Sequence, residues 1–440
     1  SFRGGSGESP KIYLQKTHSL LTNLRKWVTM KELIVSKFGG SSVKDASAMV
    51  RCGKIVAQNC LRKVVVISAT YNTTNQLEEM YRQARLDLNE SKLLLDKNRD
   101  RHLRLAQDVL AYFKTDVLET VMTDIEVLYQ EAEGLLLEAN QGPKSERLRR
   151  GSMDLAQQEI MAQLYSIGER LSSRIFFSYL KHLMPERSLR HIDARSMIRT
   201  DSTFLEAKPK WDAIATKTEA LIGDIAHKDE IVVTQGFIGM DEMGRTTILG
   251  REGSDYTATL LGHALKPSSV EIWTDVPGIF DVDPRILPSA HVIREMDYDD
   301  ATLMASLGAK VLFDQTMAPV CNLGIPIYVA STLAPENGGT WIKRLPPLPG
   351  PVGMALASHP RTLKQLEQRF CQNNPGILLG ERVGVISLIG NLPNNFDLDV
   401  FLSGMGITSK LLEKGERHIS FLIQLERLEE AASALHSRLF

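Results

Sequence analysis

Four consecutive β-branched residues, Val64-Val65-Val66-Ile67, narrow what this chain can fold into. An apolar run without alternation belongs to a strand buried on both faces, and such strands occur in parallel sheets covered by helices on either side. Similar signals recur along the chain. Residues 33–36, 230–234, 269–273 and 325–330 read as further strands, and 46–59 reads as a helix. Residues 76–182 are mostly helical, with a break at Gln141-Gly142-Pro143. The polar turn 240–245, lying between Phe237-Ile238 and Thr246-Thr247-Ile248, predicts a β-hairpin. This alternation specifies an α/β domain of three layers with a mostly parallel central sheet, in which ligands bind at the carboxyl ends of the strands.

Composition narrows the function classes. A chain of 440 residues is long enough for two or three domains. With a net charge of −1, no whole-chain field draws it to nucleic acid or to an anionic membrane. Cys52, Cys60, Cys321 and Cys371 lack C-x-x-C spacing, and the histidines form no H-E-x-x-H pair, so no protein-built metal site is expected. The cysteines read as small core residues in a reducing compartment. No apolar run reaches the ~18 residues of a membrane span, which makes the cytoplasm the expected location. Residues 1–29 read as an N-terminal extension or tag remnant ahead of Met30 and the first strand. Residues 344–351, rich in proline, read as a stiff linker. Beyond it, 383–389, 408–412 and 418–424 read as strands and 425–435 as a helix, a small βαβ-type module.

The chemistry concentrates in short strings at the ends of these elements. Lys37-Phe38-Gly39-Gly40-Ser41-Ser42-Val43 joins the first strand to the first helix. Its glycines allow backbone N–H groups to approach an anion, and Lys37 adds a full charge. It is neither a Walker A loop nor a G-x-G-x-x-G fingerprint. Ser68-Ala69-Thr70-Tyr71-Asn72-Thr73-Thr74-Asn75 follows the β-branched strand and is dense in hydroxyls. Further strings are Gly168-Glu169-Arg170-Leu171-Ser172-Ser173, Gln235-Gly236-Phe237-Ile238-Gly239 and the glycine loop Gly250-Arg251-Glu252-Gly253-Ser254-Asp255. Trp273-Thr274-Asp275-Val276-Pro277-Gly278-Ile279 and Gly308-Ala309-Lys310-Val311-Leu312 complete the set.

Taken in this order, over residues 31–345, the strings resemble the aspartokinases of the amino-acid-kinase superfamily. The resemblance implies a catalytic amino-acid-kinase domain over 30–345 and a small ACT-like, ferredoxin-like α+β regulatory and dimerisation region over 346–440. It implies transfer of the γ-phosphate of ATP, carried with Mg²⁺, to the β-carboxylate of L-aspartate. That is the first step toward lysine, threonine and methionine. Lys37, Lys310 and Asp255 would be catalytic. Ser68, Thr74, Glu169, Phe237, Arg251 and Ser254 would hold aspartate, Glu169 taking its ammonium and Arg251 its α-carboxylate. Gly39, Gly40, Ser41, Thr274, Asp275, Phe280 and Arg285, with both lysines, would hold ATP. No protein residue is expected to bind the metal. Considered alone, a residue such as Glu169 is more often a solvated helix face, and Asp275 and Asp283 read equally as turn or cap residues.

Physical chemistry favours such a reaction at these residues. A β-carboxylate with a pKa of about 4 is already ionised at neutral pH and needs no general base. The obstacle is bringing an anion to a triphosphate, since two like charges at ~4 Å and an effective dielectric of ~20 repel by roughly 4 kcal/mol. Cations and backbone donors must offset that repulsion.

The strings depart from the family pattern at four places. Asn72 and Glu252 stand where glycine occurs, Phe280 replaces a tyrosine, and Phe313-Asp314 replaces His-Pro. Residues 382–440 resemble one diverged ACT unit, and 351–381 is too short for the second that the family carries. Control by L-lysine or L-threonine, exercised through that pair, is therefore not assured by the resemblance. A homodimer or higher homo-oligomer remains the expectation. The rival readings are another amino-acid or carbamate kinase and a catalytically silent amino-acid-sensing protein of the same fold. Against the first, an N-acetylated substrate has no use for Glu169 beside Arg251; the second has no reason to keep Lys37, Lys310 and Arg251.

Overall fold

The β-branched run lies at the centre of the molecule, with Val64, Val65, Val66 and Ile67 all completely buried. Burying each such side chain contributes roughly 1.5–3 kcal/mol, so this strand anchors the sheet. The computed structural model describes residues 30–440 apart from 112, 114, 143–153, 310–313, 347–348, 374–378, 380–381 and 392–396. The expectations for residues 1–29 and for Lys310 fall outside the described residues.

In chain order the first elements are β1 (Lys31–Phe38), α1 (Ala46–Ala57), β2 (Arg62–Ile67), α2 (Thr73–Ala84), α3 (Leu88–Leu110), α4 (Thr115–Gln141) and α5 (Leu155–Leu183). There follow β3 (Ser188–Ile192), α6 (Trp211–Ile222), β4 (Glu230–Gln235), β5 (Ile238–Met240), β6 (Thr246–Ile248), α7 (Gly253–Leu265) and β7 (Pro267–Thr274). The domain continues with β8 (Glu295–Met296), α8 (Tyr298–Ser306), α9 (Asp314–Cys321), β9 (Ile327–Ser331) and β10 (Gly339–Ile342). Eight strands form one sheet in the order β3-β4-β2-β1-β7-β9-β10-β8. The six from β3 to β9 are mutually parallel, and β10 turns antiparallel to β9. The carboxyl ends of β1, β2, β4 and β7 therefore share one edge, which is where the motif strings begin. The expected hairpin is β5–β6, pairing Ile238 with Ile248.

Behind that edge a buried carboxylate ties the central strands together. Glu271 of β7 accepts hydrogen bonds from Ser36 Oγ at 2.8 Å, Arg62 Nε at 2.7 Å and Trp273 Nε1 at 2.8 Å. Charge-assisted bonds of this kind offset the cost of burying the ion.

The C-terminal elements are β11 (Pro351–Ala357), α10 (Pro360–Asn373), β12 (Val383–Gly390), α11 (Leu398–Gly404), β13 (Ser409–Lys414), β14 (His418–Gln424) and α12 (Leu428–Leu439). They build an antiparallel sheet in the order β11-β12-β14-β13. Residues 351–357, set aside above as part of a stretch too short for a unit, supply its fourth strand and cover the otherwise open edge of β12. Side chains alternate between two cores, as strand geometry requires. Val385 and Ile389 join the catalytic core together with Leu363, Leu366 and Phe370 of α10. Ile386 and Leu388 point the other way, into a second core with Leu428, Ala431 and Leu435 of α12. Val282 and Leu287, from the segment after β7, also belong to that second core. Arg417 grips the buried carboxylate of Asp300 in α8 with two bonds, Nε to Oδ1 at 3.0 Å and Nη2 to Oδ2 at 2.7 Å. Catalytic and C-terminal elements thus share side-chain cores and an ion pair.

Candidate active site

A cleft of about 490 Å³ opens at the carboxyl edge of the sheet, lined by residues from six of the seven strings. Lys37 arrives from the end of β1, Ser68 from the end of β2, Glu169 from the middle of α5, Phe237 from the turn after β4, and Ser254 and Asp255 from the first turn of α7. Gly40, Ser41, Thr74 and Asp275 also line it.

Close backbone packing explains the glycines. A Cβ at Gly40 would lie 2.8 Å from the carbonyl oxygen of Ala69, so the first loop can rest on the second only without a side chain. At Gly253 it would meet the Phe237 ring at 2.7 Å, closing the approach of the β4 turn to α7. Four described non-glycine residues have positive φ, and three of them, Asn72 (65°), Phe237 (69°) and Glu252 (52°), line the cleft. Asn72 and Glu252 stand where the resemblance expects glycine, and the backbone keeps the glycine-like conformation at both. Such conformations cost of order 1–3 kcal/mol each and persist where surrounding structure holds them.

Charge is arranged unevenly. The Lys37 ammonium is paired with the Asp255 carboxylate, both almost wholly buried. Glu169 is 3% exposed, and its Oε2 makes no hydrogen bond. Burial pushes the Glu169 carboxyl up to about 8; the Ala69 N–H and the nearby Lys37 charge offset only part of that. A carboxyl held this way has a strong demand for a cation. Glu252, Asp255 and Asp275 add three more carboxylates to the lining. Ligands suited to this cleft must bring positive charge with them.

A network that the sequence did not announce braces the hydroxyl-rich loop. Arg101 of α3 donates to Tyr71 O at 3.0 Å and to Thr70 Oγ1 at 3.1 Å, and also bonds Thr73. His102 Nε2 lies 3.0 Å from Thr70 Oγ1, while Nδ1 faces Tyr129 Oη of α4 at 2.8 Å. Complete burial, with Arg101 alongside, drives the His102 imidazole down to about 3, so it stays neutral. The only sequence signal was an Asn98/His102 pair at helical spacing inside a polar helix.

The remaining predicted residues lie at the rim or beyond it. Arg251 is exposed at the lip, between Gly250 and Glu252, which line the cleft. Thr274 ends β7 and donates to Asp275 Oδ1 at 3.2 Å. Phe280 is half-buried, and Arg285 is exposed and paired with Asp283, its Nε donating to Oδ1 at 2.9 Å. Gly39 donates its N–H to Trp273 O at 3.0 Å and so fixes the first loop against β7.

The model of the amino acid kinase family matches residues 32–331. The aspartokinase of Chlamydia trachomatis is 32% identical over 371 residues, 82% of this chain and 75% of its own length. The chain belongs to the aspartokinases. The lysine-sensitive aspartokinase 3 of Escherichia coli is 36% identical over 71% of this chain. That alignment spans 64% of the relative's length. Among solved structures, E. coli aspartokinase III in complex with aspartate and ADP superposes with a TM-score of 0.74 at 27% identity, covering 93% of this chain and all of that one. The same enzyme in complex with lysine and aspartate gives 0.73 at 28% identity. Both superpositions extend beyond the family-model match, so the aspartokinase likeness takes in C-terminal elements as well.

Proposed function

We propose that this chain transfers the γ-phosphoryl group of ATP to the β-carboxylate of L-aspartate, giving 4-phospho-L-aspartate and ADP. One observation carries the substrate reading: the buried, hydrogen-bond-free Oε2 of Glu169 beside Lys37 in a carboxylate-rich cleft. An α-ammonium group supplies the missing donor and returns Glu169 to its ionised form. The E. coli relative of known structure was solved with aspartate and ADP, which fits a cleft of this kind.

The chain's own groups then divide the work. Glu169 and Ser68 hold the amino-acid end, with Arg251 swinging in from the lip toward the α-carboxylate, a planar anion suited to a guanidinium fork. Asp255 holds Lys37 at the cleft wall, where the ammonium faces the transferred phosphoryl group and offsets its charge. Gly40, Ser41 and the first turn of α7 offer backbone donors to phosphate oxygens, and the family resemblance assigns Lys310 to the same task. The carboxylates Asp255 and Asp275 suit the Mg²⁺ that accompanies the nucleotide; when bound, it neutralises phosphate charge. No general base is required, because the attacking oxygen is already ionised.

Lysine is the effector best supported, since the E. coli relative is described as lysine-sensitive and crystallises with lysine. We place the protein in the cytoplasm as a homo-oligomer; no described helix is long and apolar enough to cross a membrane. The test is a hydroxamate assay with aspartate and MgATP, repeated with lysine and with threonine. Aspartyl hydroxamate formation is expected, with inhibition by lysine. Absence of product, together with calorimetric binding of aspartate, would replace the enzyme with a sensor.

A further inference from the structure

Three potential metal ligands meet where the segment after β7 touches the last helix. Residues 275–293 leave β7 and return to β8 as a narrow arm. Asp281 N–H donates to His291 O at 3.0 Å, and Ile293 N–H to Ile279 O at 2.8 Å. The arm carries Phe280 and Arg285, which the family resemblance assigns to the nucleotide, yet its Val282 and Leu287 are buried in the C-terminal core. Met354 N–H of β11 donates to Asp281 O at 2.6 Å, pinning the arm to the small sheet. Asp281 Oδ2 lies 3.1 Å from His436 Nε2 of α12 and 3.5 Å from His291 Nδ1. All three ligand atoms lie within 4.8 Å of one another.

Asp281 lies at ion-pair distance from both imidazoles, yet hydrogen bonding does not complete the cluster. His436 is 5% exposed, and its Nε2 makes no hydrogen bond despite the short approach to Asp281. A buried ring nitrogen left so is costly unless something else engages it. The distances have a ready meaning. Tetrahedral Zn²⁺ binds imidazole nitrogen and carboxylate oxygen at about 2.0–2.1 Å, which places neighbouring ligand atoms roughly 3.3 Å apart. The two Asp281 contacts bracket that spacing. Asp281 Oδ1 meanwhile accepts the His291 N–H at 2.9 Å, an orienting bond of the sort that steadies ligating carboxylates. The His291 side chain is 76% exposed, so the cluster has a route in and room for a water as fourth ligand.

We propose that Asp281, His291 and His436 form a binding site for a divalent transition-metal ion of the Zn²⁺ class, clamping the arm to the C-terminal helix. Two imidazoles and one carboxylate suit Zn²⁺ or its neighbours better than Mg²⁺ or Ca²⁺. The ligands sit 10 and 145 positions apart along the chain (from 281 to 291, and from 291 to 436), which is why no spacing motif revealed them. An ion here would hold Phe280 and Arg285 in register with the C-terminal module.

The test is titration of the metal-free full chain with Zn²⁺ by calorimetry, with Co²⁺ absorption in the visible as a report on four-coordinate geometry. His291→Ala removes an exposed ligand with little risk to folding, and His436→Gln removes a buried one. One Zn²⁺ per chain is expected in the parent, with affinity weakened about tenfold or more in each variant. Zn²⁺ should also raise the thermal midpoint of the parent but not of His291→Ala. No uptake by the parent, or equal uptake by His291→Ala, overturns the site and marks any remaining binding as adventitious.

Discussion

The two ends of the cleft are built on opposite plans. At the end proposed for the amino acid, Lys37, Ser68, Glu169, Ser254 and Asp255 are all buried and come from strand ends, the middle of α5 and the first turn of α7. At the end proposed for the nucleotide, Asp275 lines the cleft and Arg285 lies beyond it, both exposed on an arm whose Val282 and Leu287 belong to the C-terminal core. Preorganised charge in a water-poor pocket is worth far more than the same charge in solvent, so the buried end is where most of the chemical work can be done. An arm shared with another module is where control can enter. β11 and α12 touch the arm that carries Phe280 and Arg285, and neither lines the pocket around Glu169.

Lys37→Ala tests the buried end most severely. Turnover should fall by ~10³, comparable to losing a strong oxyanion donor, with aspartate affinity changing far less. Steady-state kinetics separate the two. An equal loss in affinity would make Lys37 a substrate ligand and nothing more.

Glu169→Gln comes next, with kcat/KM for aspartate lower by ~10², the scale of a lost buried charge pair. Its pH behaviour is more specific. The unfolded carboxyl titrates near 4.5 and the folded one at about 8, so between those values the folded state holds a proton that the unfolded state has lost. Stability of the ligand-free protein at this site therefore falls as pH rises from 4.5 toward 8, and the Gln variant should lack that slope. Denaturant titrations across the window decide it. Aspartate binding near pH 7 should also release a proton in the parent, seen as a buffer-dependent calorimetric enthalpy, and not in the variant.

How much of this was legible follows the same division. The sheet was readable because β-branched runs such as residues 64–67 have few folded alternatives, and the buried end was readable because its residues sit in compact strings. Left-handed backbone at Asn72 is a conformation asparagine tolerates, which explains how it can stand where the family carries glycine. Long-range pairings were not readable. Nothing local shows that Asp255 will neutralise Lys37, that His102 will brace Thr70 from a separate helix, or that residues 351–357 will complete a sheet begun at 383. The arm escaped for a related reason. Its polar face reads as a nucleotide loop, while the partners of Val282 and Leu287 lie about a hundred residues downstream.

Arg285→Ala probes the exposed end and should have the smallest effect. The Arg285–Asp283 pair is solvent-exposed, and such pairs contribute ~0–1 kcal/mol, so stability should barely move. If the guanidinium reaches a phosphate only when nucleotide is present, KM for ATP should rise about two- to fivefold, with turnover and aspartate affinity unchanged. An effect on aspartate equal to that on ATP would mean that the two ends are mechanically coupled. In that case the rigid amino-acid pocket would itself be answering to the C-terminal module through the arm, and the contrast drawn above between a fixed end and a controllable end would fail.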